Sequence, residues 1–294
     1  MESKILTPQQ WRDYELIDSG DGEKLERFGR FVTARPEPQA IWPKSLSAEQ
    51  WRKMSNAYFR VDKGGDDKGE WFASREMPEQ WNISYKNTKG LDIKFRLGMT
   101  SFKHVGIFPE QAANWDFIYE QTKRIGPNAK VLNLFAYTGG ATMAARAGGA
   151  QTTHVDSIKQ VVGWAKENME LSGLDNIRWI IDDALKFVKR EVKRGSKYNG
   201  IILDPPAYGR GTNGERWVLD ENLPEMLELC GQLLEDENSF LVLNLYSMGL
   251  SAMLARTAIH SFFGKIDGEQ FGELYFQDKS QKCLPLGVYY RFWR

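Results

Sequence analysis

Cysteine is almost missing from this chain: two residues, Cys230 and Cys283, in 294. They form no close pair with each other or with the three histidines, so no disulfide framework or zinc site is readable. That usage points to a reducing compartment, most simply the cytoplasm. Long apolar runs are lacking too. No stretch approaches the ~20 residues that a membrane-spanning helix requires. The first residues, MESKILTPQQWRDYELIDSG, are charged from position 2 and carry no apolar stretch long enough for a signal peptide. A net charge is the third absence. Lys+Arg and Asp+Glu both total 39, so any basic footprint for a nucleic acid must be local. Internal repeats and low-complexity segments are also lacking. What remains is 41% hydrophobic and 27% charged residues, the composition of a globular protein. The length suits one large α/β domain with a smaller appendage, or two modest domains.

The N-terminal 60 residues carry Trp11, Trp42 and Trp51 with Pro36, Pro38 and Pro43 among them. The prolines disfavour long regular elements, and the tryptophans read as a small core rather than as base-binding groups. The polar, Gly-rich stretch 61–71 reads as a loop between strands. Leu91, Ile93, Phe95 and Leu97 alternate with Asp92, Lys94 and Arg96, which predicts a half-buried strand with a partly basic outer face. Residues 1–105 are expected to form a small strand-rich domain, and 106–294 a second one.

That second part opens on a helix over 110–125, with Trp115, Ile118 and Tyr119 on one stripe, ended by Gly126-Pro127. Strands are then predicted at 130–135, 152–155, 177–181, 198–203 and 240–245. Helices are predicted at 142–147, 157–171, 184–194 and around 222–235. Repeated β–α units imply a parallel, doubly wound sheet. Two aromatic-rich strands, 272–277 and 287–293, are expected to close the sheet edge as an antiparallel hairpin.

Open α/β sheets bind ligands beyond the carboxyl ends of their strands. Four such ends carry suggestive residues. Leu132–Thr142 runs from a strand through Gly139-Gly140 into a helix, where glycines admit close approach and free N–H groups face outward. Asp156 ends the next strand, where a carboxylate can accept ribose hydroxyls; Asp156 or Ser157 could instead cap the following helix. Asp183, with Asp182 as the alternative, is placed to accept from an adenine amine, the other acid capping the next helix. Asp204-Pro205-Pro206-Ala207-Tyr208 ends the fourth strand. Its prolines stiffen a turn that presents acceptors to an amine or cation. A nicotinamide-binding fingerprint would need G-x-G-x-x-G, which is not found here.

These features together resemble the class I S-adenosylmethionine-dependent methyltransferases, more narrowly the bacterial family related to the 23S rRNA large-subunit methyltransferases. The resemblance rests on NLFAYTGGATMAARAGGA (133–150), HVDSIKQVVGWAKENMELSGL (154–174) and ILDPPAYGRG (202–211). It extends upstream to Lys103–Gln111 and, through DSGDGEKLERFGRF (18–31) and RPEPQAIW (35–42), to a short N-terminal β domain. It implies a Rossmann-like seven-stranded sheet with a final antiparallel strand. It implies S-adenosyl-L-methionine as cofactor and no metal. Phe135, Ala136, Tyr137, Thr138 and Gly139 would surround the methionine part, Asp156 the ribose and Asp183 the adenine. Asn133, Ser157, Ala184 and Gln111 complete the candidate cofactor set. Asp204, Pro205 and Tyr208 are the candidate catalytic residues, Asp204 lying by the transferred methyl.

Cytosine-C5 members of this kind use a cysteine after the fifth strand, because an unactivated ring carbon needs covalent help. Here that place reads Asn244-Leu-Tyr-Ser247. An exocyclic nitrogen suits the Asp-Pro-Pro turn better, with Tyr208 either stacking on the base or merely packing the loop. The expected substrate is RNA, an rRNA base. Local basicity adds two clusters: Lys186, Lys189, Arg190, Lys193, Arg194 and Lys197, which read as a solvated helix face, and Lys86, Lys89, Lys94, Arg96 and Lys103, better placed for phosphate, with Arg210 after the turn as a further candidate. The alternatives are a methyltransferase for a small molecule or protein, and a non-catalytic RNA-binding protein that keeps the fold.

Overall fold

The computed structural model describes residues 2–9, 11–62, 68–212, 214–246 and 250–294. The chain divides into two units, neither of them a single stretch. The larger takes Met1–Leu6, Gln111–Leu274 and Gly287–Arg294; the smaller takes Thr7–Glu110 and Tyr275–Leu286. The expected boundary after residue 105 differs from this division at residues 1–6, 106–110 and 275–286.

The chain starts with β1 (Lys4–Leu6). The smaller unit follows with β2 (Tyr14–Gly20), β3 (Glu23–Phe28), β4 (Phe31–Pro36), α1 (Ala48–Met54), β5 (Ala57–Val61), β6 (Gly69–Ala73), β7 (Gln80–Lys86) and β8 (Asp92–Gly98). Strands β2 to β6 form one sheet in sequence order, and β7–β8 a separate ribbon. The strands of this strand-rich unit are short, as the prolines predict for residues 1–60. Pro36 stands at the end of β4, and Pro38 and Pro43 fall in the connection to α1, so none interrupts a ladder. The β2–β3 connection is the two-residue Asp21-Gly22, both with positive φ (51° and 75°), a hairpin turn that asks for such residues. Helix α1 starts on a capping box between Ser47 and Gln50 and sets Trp51 on Ile17, Leu25 and Ala34. Trp11 is buried as well, whereas Trp42 is half-buried with its indole N–H on the Ser19 carbonyl. On β8, Ile93, Phe95 and Leu97 are buried while Asp92 and Lys94 face out, as the alternation predicts. Of the predicted 61–71 loop, residues 63–67 lie outside the described residues; Val61 ends β5, and 69–71 open β6.

The larger unit contains α2 (Ala112–Ile125), β9 (Lys130–Leu134), α3 (Gly140–Ala147), β10 (Gln151–Asp156), α4 (Lys159–Leu171), β11 (Ile177–Ile181), α5 (Ala184–Lys193), β12 (Gly200–Leu203), β13 (Tyr208–Arg210), β14 (Arg216–Val218), α6 (Leu219–Leu233), β15 (Phe240–Leu245), α7 (Ala252–Phe262), β16 (Gly268–Gln277) and β17 (Cys283–Trp293). Its sheet runs β1-β16-β17-β15-β12-β9-β10-β11. The central strands β9, β12 and β15 are continuous buried runs because both faces are covered. β17 runs antiparallel to β15, as the resemblance implies. The hairpin β16–β17 does not close the edge, however. β1 pairs parallel to β16, Lys4 against Gly272. A Cβ at Gly272 would stand 1.9 Å from the Lys4 carbonyl oxygen, so glycine is what admits the extra strand. The strand order reverses between β9 and β12, which places a switch point at their carboxyl ends.

Candidate functional site

Sheet register gathers the predicted residues into one row. Ile181 pairs with Asp156, Val155 with Leu134, Leu134 with Leu203, and Leu203 with Leu243. The carboxyl ends of β11, β10, β9, β12 and β15 thus carry Asp182-Asp183, Asp156, Phe135, Asp204 and Asn244 side by side across the switch point.

β9 leaves the sheet through a tight loop. Phe135, Tyr137 and Gly139 have φ of 55°, 48° and 89°. Left-handed backbone at the first two costs on the order of 1 kcal/mol each or more, and nearby bonds hold it. Ala136 N donates to the Val155 carbonyl at 3.1 Å and Gly139 N to the Ala136 carbonyl at 3.0 Å. Tyr137 N donates to Asp156 Oδ2 at 2.9 Å, and Asn168 Nδ2 to the Thr138 carbonyl at 3.0 Å. At Gly139 a side chain would combine that φ with a Cβ only 3.2 Å from Ala165 Cβ.

Asp156 accepts from Tyr137 N on one oxygen and from Ile158 N (2.9 Å) on the other. A carboxylate has about four acceptor positions, and with Ser157 N as a third backbone donor one is left for a ligand. Burial pushes its pKa up, against these backbone bonds. The capping alternative is not realised: α4 has Ile158 as its N-cap and no side-chain cap, and Ser157 Oγ donates to the Arg210 carbonyl at 3.3 Å. The next pair differs from expectation. Asp183, chosen for adenine, is itself the cap of α5, accepting from Lys186 N at 2.8 Å through Oδ1. Asp182 accepts from Asp183 N and pairs with Arg190. Ala184, the first residue of α5, is buried.

Two predicted contacts are largely committed to internal bonds. Asn133 is 2% exposed and donates to Thr142 Oγ1 at 2.8 Å, which in turn meets His154 Nδ1 at 2.9 Å. Gln111 Oε1 accepts from Asn114 (3.0 Å) and Asn244 (2.9 Å), and its amide N donates to the Tyr246 hydroxyl. One Gln111 N–H is left for a ligand.

Asp204 is half-buried and Pro205 buried. The turn continues into a small hairpin, β13 against β14. Trp217 on β14 donates from Nε1 to the Pro206 carbonyl at 2.7 Å, and its ring lies 4.7 Å from Phe135. Tyr208 is 53% exposed. Trp217 is the residue sequence reasoning missed; the Trp-Val-Leu that follows the polar run after Tyr208 was its only signal. Ile158 and Ile181 were missed as well: both are apolar, exposed and next to Asp156 in sequence or register. On α5 the basic residues meet acids: Lys186 with Glu215, Lys189 with Glu225, Arg194 with Glu191. That is a solvated helix face. Among the described residues, no group of three or more His, Cys, Asp or Glu is placed to hold a metal ion, and no helix is long and apolar enough to cross a membrane.

A family model described as S-adenosylmethionine-dependent methyltransferase matches residues 37–260. The chain belongs to the S-adenosylmethionine-dependent methyltransferase family. The methyltransferase is similar over nearly its whole length to a SAM-dependent methyltransferase from Agrobacterium tumefaciens of known structure. The identity is 37%, the TM-score 0.90, and the match covers 99% of this chain and 94% of that one. It is 34% identical over 144 residues to ribosomal RNA large subunit methyltransferase K/L of Shewanella frigidimarina, covering 48% of this chain and 19% of that protein. It is 37% identical over 90 residues to ribosomal RNA large subunit methyltransferase I of Klebsiella pneumoniae, covering 30% of this chain and 22% of that protein. The matches thus span under a quarter of those curated relatives. The methyltransferase's own geometry fits the family's cofactor: a half-buried carboxylate with an acceptor position to spare, beside a constrained, Gly-ended loop, suits a ribose and an amino-acid tail.

Proposed function

We propose that this methyltransferase modifies RNA, placing the methyl group on an exocyclic nitrogen of an rRNA base rather than on cytosine C5. The observation that carries this is the Asp204-Pro205-Pro206 turn at the switch point, in the same row as Asp156 and next to Phe135. When bound, S-adenosylmethionine supplies an already activated methyl group, so the protein's task is positioning. Asp156 accepts from the ribose on its spare acceptor position. Asp183 meets the adenine amine through its second oxygen, with Ile158 and Ile181 as apolar walls. The 135–139 loop receives the methionine part, and Gln111 adds its one remaining N–H. Asp204 and the Pro205 carbonyl orient the target amine. The Pro206 carbonyl is already taken by Trp217, and exposed Tyr208 stacks on the base.

Nitrogen is favoured over C5 because the strand-five position holds Asn244, Leu245 and Tyr246, Ser247 lying outside the described residues. Cys230 is 0% exposed within α6 and burial pushes its thiol up, while Cys283 opens β17. Neither is a nucleophile at the turn. The names of the curated relatives support rRNA as the substrate class, and the smaller unit is the part we assign to recognising it. The test is transfer of a labelled methyl group into total RNA, protein and metabolite fractions, followed by nucleoside analysis. Label in RNA on an amine nitrogen is expected. Label missing from RNA defeats the substrate, and label on C5 defeats the nitrogen.

A further inference from the structure

Helix α1 covers only part of the sheet face on which it lies. Trp51 packs on Ile17, Leu25 and Ala34. The same face continues onward, because Ala34 is in register with Tyr58 and Tyr58 with Phe72. Tyr58 and Phe72 stack across β5 and β6 with ring centroids 5.3 Å apart and planes 17° from parallel. Tyr58 is 44% exposed; among the described residues, Phe102 and Tyr208 are the other aromatics left that open. Arg60, the next outward residue of β5, lies 4.3 Å from the Phe72 ring centroid and makes an exposed 3.8 Å pair with Glu70 of β6, which a phosphate would displace. The inward residues hold the strand firmly: Ala57 is 0% and Phe59 4% exposed. At the Tyr58 end, Arg75 N reaches the Asn56 carbonyl and its guanidinium the Lys53 carbonyl, which brings two more exposed cations to the rim.

A stacked pair with the Tyr58 ring open, the half-buried Phe72 ring beneath a guanidinium, and cations at its edge offers a flat face for a base and charge for phosphates. That is the chemistry by which single-stranded nucleic acids are held. Any base can use such faces, so the surface would hold a strand rather than read its sequence. We infer that the Tyr58–Phe72 face binds an unpaired segment of the RNA substrate, with Arg60, Lys53 and Arg75 meeting its phosphates. This rests on the RNA reading above, and it gives the smaller unit a named contact surface.

The experiment uses the full chain and a labelled single-stranded RNA of about 12 nucleotides, within the span such platforms grip. Tyr58→Ala with Phe72→Ala is expected to weaken binding about 10- to 100-fold, with S-adenosylmethionine binding and Tm unchanged. Arg60→Gln should reduce the dependence of log affinity on log salt by about one. Ultraviolet cross-linking of the unmutated protein should map to the peptides holding Tyr58 or Phe72, which keeps the test valid if the double variant folds poorly. Equal RNA affinity in the double variant, or cross-links only elsewhere, overturns the platform and leaves RNA as the substrate. A wild-type chain that binds no RNA and labels protein or metabolites overturns both readings.

Discussion

Asp156 is a carboxylate with two jobs. It fastens Tyr137 in its left-handed conformation and it offers an acceptor beyond the sheet edge. Asp156→Ala removes both. Affinity for S-adenosylmethionine should fall at least about tenfold, and the lost backbone bonds should cost about 1–2 kcal/mol of stability. Titration calorimetry and thermal melts read the two effects separately, and wild-type affinity in the variant would remove the ribose assignment. The sequence made Asp156 visible because an acid ending an apolar strand is a local pattern. Its bond to Tyr137 spans 19 positions and leaves no local trace. The same limit explains Asp182 and Asp183. Two adjacent acids before a helix announce that one caps it, but which one depends on where Arg190 swings on the next turns.

At the level of elements, the β–α repeats were legible because buried parallel strands are unbroken apolar runs, as in Gly200–Leu203 and Phe240–Leu245. The β13–β14 hairpin was not, since each strand has three residues and no alternation to detect. Yet this hairpin ties the Asp-Pro-Pro turn to the 135–139 loop, through Trp217 bonded to Pro206 and packed on Phe135. Trp217→Phe keeps a ring and deletes the N–H. A turn released by one hydrogen bond of about 1 kcal/mol should lower kcat roughly three- to tenfold, with KM for S-adenosylmethionine little changed. Steady-state label transfer measures this. An unchanged kcat would show that the bond does not position the turn. β1 escaped notice for a related reason: a three-residue strand is recognised only through its partner, Gly272–Leu274.

Across the whole molecule, stability should respond to pH through buried ionisable groups. Burial pushes Glu110 up to about 7 from an ordinary 4.5. Between those values the folded chain holds a proton that the unfolded chain has released. Its contribution is therefore complete below pH 4.5 and is lost as pH rises toward 7, about 3 kcal/mol in all. His154 has the opposite slope: burial lowers it to about 3, so its contribution is lost as pH falls below 6.5. Glu110→Gln should match the wild type near pH 4 and exceed it in stability at pH 8. Melts across that range test this, and a difference that does not vary with pH would refute it. The sequence could not reveal such a group, because Glu110 is one acid among 39 acidic residues until the fold buries it. The division into units was legible only in outline for the same reason. Residues 275–286 join the smaller unit through contacts such as Lys282 to Asp18 and Ser19 to Asp278. This interleaving orders events in time. On the ribosome, Lys4–Leu6 emerges early yet has no neighbour until residues 272–274 are made. Asp18 meets Ser45, Leu46 and Trp51 early but gains its cation, Lys282, only near the end. Both units stay unfinished until translation reaches the last hairpin: a stalled or truncated nascent chain exposes an incomplete eight-stranded sheet and a smaller unit without residues 275–286.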